Sequence, residues 1–68
     1  MNLLLPDGVE MDVPFEYLDV KDSIFIPTLK ATELRLLMRR VAKDIEFTIE
    51  MHNAIEDGYL GLMVWRIK

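Results

Sequence analysis

With 68 residues and no cysteine, the chain is a single domain that has neither a disulfide nor a thiolate metal site to stabilise it. Twelve acids against eight bases give a net charge of −4, which argues against a general nucleic-acid binder, and no apolar run approaches the ~20 residues of a membrane-spanning helix. Hydrophobic residues make up 51%. A domain this small buries only about 60% of its unfolded surface, so an apolar patch is expected to remain for a partner, a second copy included.

Asn2 to Leu5 is a short apolar run, Pro6-Asp7-Gly8 is turn chemistry, and Val9 to Val13 alternates apolar with acidic residues. Together they predict an N-terminal hairpin in residues 1–13, preceding a β-α-β-β core in 14–68. Pro14 ends the second strand. Phe15 to Val20 is ambiguous, with Phe15 and Leu18 as anchors for a short helical turn. Lys21-Asp22-Ser23 reads as a turn, and Ser23 to Pro27 as a buried strand that the proline stops.

Thr32 to Lys43 carries the one clear helical period. Leu34, Leu37, Met38, Val41 and Ala42 share a face. Thr32 is the candidate N-cap; Glu33 suits the positive end of the helix dipole, and Arg39, Arg40 and Lys43 suit the negative end. Ile45 to His52 then alternates as a half-buried strand, with Glu46, Thr48, Glu50 and His52 on its polar side. Asn53 to Tyr59 reads as a loop turning at Asp57-Gly58. Leu60 to Lys68 is the last strand, apolar on both faces over Leu62 to Trp65 and therefore central. The expected fold class is α+β: a small, mostly antiparallel sheet of about five strands, in the order β-β-β-α-β-β, with one helix packed on one face. Leu34, Leu37, Met38, Val41, Phe25, Phe47, Ile49 and Trp65 form the expected core.

Little in the chain suggests catalysis. His52 is the only histidine and lies on the polar side of its strand, where a solvated role outweighs that of a base lacking a positioned partner. The three glycines stand apart, so there is no phosphate loop. Asp7, Asp12 and Asp22 lack the spacing of a calcium loop. No cofactor or metal is implied. Phe25 and Trp65 could stack on bases, but core packing is the favoured role. Arg66 points away from Trp65, toward a pairing with Glu46 or Glu50.

The charge is uneven. Residues 1–28 hold six acids (Asp7, Glu10, Asp12, Glu16, Asp19, Asp22) and one base (Lys21), whereas residues 29–45 hold five bases (Lys30, Arg35, Arg39, Arg40, Lys43) and two acids (Glu33, Asp44). Neutralisation within the chain and solvated faces is the plainer reading. The sharper one makes Arg35, Leu36, Arg39, Arg40 and Lys43 a binding surface, a leucine anchor ringed by bases that repel one another at helical spacing.

VPFEYLDVKDSIFIPT, the basic helix, FT and the closing VWRI together resemble a family of small uncharacterised proteins from tailed bacteriophages and related prophages. Pro14, Phe15, Val20, Asp22, Ser23, Phe25, Pro27, Phe47, Thr48, Val64, Trp65, Arg66 and Ile67 carry the likeness, which spans residues 13–68. It implies a phage-encoded accessory protein without an assigned activity. Where the family carries arginines on the last two strands, this chain has Glu50 and Met63, which weakens any nucleic-acid role. The opening MNLLLP lacks the basic leader and cleavage site of a signal peptide. The expectation is therefore a non-enzymatic protein of the host cytoplasm. It would bind a macromolecule: a host or phage protein, or itself as a homodimer. Nucleic-acid binding through the basic helix face is the alternative.

Overall fold

The computed structural model describes residues 1–68. It contains β1 (Asn2–Leu4), β2 (Glu10–Asp12), a 3₁₀ turn (Phe15–Tyr17), β3 (Ser23–Pro27), α1 (Ala31–Asp44), β4 (Ile49–Glu56) and β5 (Tyr59–Arg66). The α+β class and the order of elements are as expected. The five strands form two antiparallel sheets, however: β1-β2 alone, and β3-β5-β4. β5, apolar on both faces, is the central strand. β3 and β4 each run antiparallel to it, and α1 links them across the sheet.

The start of α1 differs from the sequence reading. Lys30 occupies the N-cap, Thr32 lies inside the first turn, and no side chain caps the end. Thr28 orders this turn instead. Its Oγ1 accepts a hydrogen bond from the Lys30 amide at 2.9 Å and donates to the Asp7 carboxylate. Asp7 also accepts the Leu29 amide at 3.0 Å. The tip of the first hairpin is thereby tied to the loop that launches the helix. The Thr28 hydroxyl, then the Leu29 amide, hold the Asp7 carboxyl below the usual carboxylate range. A lowered folded-state pKa contributes stability above the unfolded value, and this is lost as pH falls through the folded one. Asp7→Asn is therefore expected to lower stability at neutral pH and to flatten its decline below about pH 4, the ordinary carboxylate range. Urea midpoints measured across that range check this; an unchanged acid limb would contradict it.

The end of α1 also differs. Ile45 is the C-cap, and Glu46 takes a left-handed conformation at φ 61°. The Phe47 amide donates to the Ala42 carbonyl at 2.8 Å and the Glu46 amide to the Lys43 carbonyl at 3.2 Å. This is a Schellman motif with glutamate where glycine is usual. Ile45 and Phe47 therefore belong to the helix end, and the strand expected from Ile45 begins at Ile49. Glu46→Gly is expected to stabilise the fold by about 1 kcal/mol, since left-handed backbone costs a residue with a Cβ roughly that much. A thermal melt with no gain would contradict the motif.

The predicted loop at 53–59 is mostly strand. β4 continues to Glu56, and Asp57 and Gly58, both at positive φ (52° and 80°), make a two-residue turn. That turn sets the register: Glu56 faces Tyr59, His52 faces Met63 and Glu50 faces Trp65. Leu62 and Val64 consequently face α1, while Trp65, Met63 and Phe25 lie on the opposite face. The core thus holds Leu34, Met38, Ala42, Ile26, Leu62 and Val64, with Leu3, Leu5, Val13 and Phe15 brought in by the N-terminal segment. Leu37, Val41, Phe47 and Ile49 pack at its margin, half-buried. Phe25 and Trp65 do not join it, contrary to the sequence expectation: one step of strand parity decides the face, and the parity puts them outside.

Candidate functional site: the exposed face of the helix

Burial of Leu34, Met38 and Ala42 turns the opposite side of α1 to solvent. Leu36 is 64% exposed there. Arg39, Arg40 and Lys43 follow it at three, four and seven residues and are also exposed, so the four form one ridge. Glu33 and Asp44 bracket the ridge in sequence. No carboxylate lies within ion-pair distance of Arg39, Arg40 or Lys43.

No N-terminal acid makes an ion pair with these bases, which stand in solvent. Asp7 is committed to Thr28 and Leu29, and Asp12 and Glu16 lie 3.2 and 2.8 Å from the Met1 ammonium. Arg35, the fifth residue of the candidate set, is half-buried and turned toward β4. Its Nη2 donates to Asn53 Oδ1 at 2.9 Å and its Nη1 to the Met51 carbonyl at 3.4 Å, a long bond. The structure therefore gathers Leu36, Arg39, Arg40 and Lys43 on one surface and places Arg35 on the flank between that surface and β4.

The remaining candidates have structural surroundings. Arg66 does point away from Trp65, but pairs with neither Glu46 nor Glu50. Its Nη1 donates to the Leu18 carbonyl at 2.7 Å, and its guanidinium stacks 3.7 Å from the Phe47 ring centre. His52 is exposed, 3.9 Å from Glu50, with its ring edge-on to Trp65 at 5.2 Å. No cluster of three or more His, Asp or Glu side chains is arranged to hold a metal ion, and no helix is long and apolar enough to cross a membrane.

Sequence reasoning missed two surfaces. One is the open face of the larger sheet, where Phe25, Met63 and Trp65 lie half-exposed with no element over them. The other is a groove of about 520 Å³ between the start of α1 and the tip of the β4-β5 hairpin. Its walls include Leu29, Ile55 and Leu60, which are 81%, 70% and 55% exposed. The signal for the groove was the length of the hairpin: strands that run past the end of a covering helix leave their last apolar residues bare.

No protein-family model, no curated protein and no solved structure matches the chain.

Proposed function

We propose that this is a non-enzymatic binding module that docks an acidic protein surface through the exposed face of α1. The observation that carries the reading is Leu36, exposed at the head of a ridge of three basic side chains, Arg39, Arg40 and Lys43, that have no ion-pair partner in the fold. A leucine burying itself on association supplies apolar area, and the surrounding bases supply orientation and on-rate. The likeness to phage accessory proteins gives the setting: the cytoplasm of a bacterial host, with a host or phage protein as partner. A second copy is the other protein partner this reading accommodates. The open sheet face with Phe25, Met63 and Trp65 is where two copies would pack as a homodimer.

Phosphate is the competing ligand for the same bases. Protein is favoured because the ridge begins with an exposed leucine, Glu33 and Asp44 bracket it along the helix, and the whole chain is acidic. Titration with random-sequence duplex DNA at physiological salt separates the readings. The expected result is no binding up to about 100 μM, the weak limit of ordinary non-specific DNA binding. Micromolar binding whose salt slope drops by about one unit in Arg39→Ala would put nucleic acid first.

A further inference from the structure

β4 is an edge strand of eight residues, and one side of it is unpaired. The two-residue turn makes Glu56 and Tyr59 a hydrogen-bonded pair, and the alternation then continues through Ala54, His52 and Glu50. The N–H and C=O groups of Ile49, Met51, Asn53 and Ile55 consequently point away from the sheet. The same parity holds on β5, where Leu60 and Arg66 bond toward β3 and its flanks. The only group bonded along this open edge is the Met51 carbonyl, reached by Arg35. Beside the edge runs the apolar groove, with Leu29 and Ala31 on one wall and Ile55 and Leu60 on the other. Further along, Arg35 flanks the same edge from α1, and Arg39 follows it one helical turn on.

We infer that this edge takes up an extended peptide segment of a partner as an added antiparallel strand. The segment has apolar side chains opposite Ile55 and Asn53, facing the groove, and carboxylates opposite Met51 and Ile49, facing Arg35 and Arg39. The backbone ladder supplies affinity, and the alternate side chains supply specificity. The proposal rests on the docking function above and names the form of the partner. A second copy does not fit this edge. Two β4 strands paired antiparallel about a two-fold axis place both helices on one side of the joined sheet, so that the Arg35 side chains of the two copies, each at Met51 and Asn53 in mid-strand, meet beside the axis. The same arginines attract an acidic strand and repel self-pairing.

The probe is a synthetic octapeptide of alternating threonine, with leucine at the two groove-facing positions and glutamate at the two facing the arginines. Its binding is followed by amide exchange on the intact protein. At saturation the Asn53 and Ile55 amides are expected to exchange at least tenfold more slowly. A peptide with lysine in place of glutamate is expected to bind at least tenfold more weakly, and Arg35→Glu to reverse that preference. A third peptide, N-methylated at the nitrogens that would face β4, keeps charge and apolarity but cannot form the ladder; it is expected not to bind. If the N-methylated peptide binds as well as its parent, strand addition is wrong while docking on the basic ridge stands. If no acidic peptide binds at millimolar concentration, or if the edge amides are protected by self-association of the protein alone, the proposed occupant is wrong.

Discussion

Replacing Gly61 by alanine is expected to destabilise the fold by about 3 kcal/mol, at the upper end for forcing atoms into a filled space. Gly61 faces the open side of the sheet, opposite Pro27 on β3. A Cβ there would stand 2.5 Å from the Ile26 carbonyl oxygen and 2.5 Å from the Phe25 ring. The carbonyl cannot yield cheaply, and the half-exposed ring yields only by swinging off the glycine. The carbonyl belongs to the β3 backbone, and the ring lies across the glycine, an aromatic covering the gap that a missing side chain leaves. Removing the ring in Phe25→Leu should restore only part of the loss, because the carbonyl clash remains. Urea unfolding of the single and double variants measures both effects. A Gly61→Ala cost below about half a kcal/mol would contradict the close approach of the Ile26 carbonyl and the Phe25 ring to this position.

The second large effect lies on the buried side of α1. Leu34 is fully buried, and Leu34→Ala is expected to cost about 3–4 kcal/mol, the lost burial plus the cavity left behind. A domain of this size has roughly 3–10 kcal/mol in total, so the variant should be close to unfolded at room temperature. Leu37, one of the same predicted stripe, is only half-buried, and its alanine variant should cost about half as much. Equal losses at the two positions would contradict the orientation of the helix.

The face of α1 was readable because its apolar residues recur at helical spacing over three turns, and Leu34, Met38 and Ala42 are indeed its buried line. The same wheel placed Leu36 among bases on the far side. The sheet was harder. A strand apolar on both faces, as Leu62 to Trp65 is, does not reveal which face meets the helix. The deciding signal lay in the next turn. Asp57-Gly58 read as a two-residue connection fixes Glu50 opposite Trp65, and Glu50 and His52 are the polar side of their own strand. That arithmetic sets Trp65 on the open face. Low strand propensity at Asn53, Ala54 and Glu56 hides it by making the segment resemble a loop, and pairing with β5 overrides that propensity. The helix ends were misjudged for another reason. Thr32 fits the local rule for a cap, but Thr28, bonded to Asp7 across the chain, orders the turn instead, and Glu46 closes the helix in a conformation that sequence assigns to glycine. The groove and the open edge of β4 arise from how far the hairpin outruns the helix, a tertiary relation that no single segment encodes.

Docking through the Leu36 ridge is tested most directly by capture from nuclease-treated bacterial lysate, comparing the wild-type protein with Leu36→Asp. The substitution alters an exposed side chain, so the variant should unfold at the same urea concentration as the parent. The expected result is a protein retained by the wild type after nuclease treatment and lost from the variant. Capture that disappears with nuclease, or that Leu36→Asp leaves intact, would contradict a protein partner seated on this face of the helix.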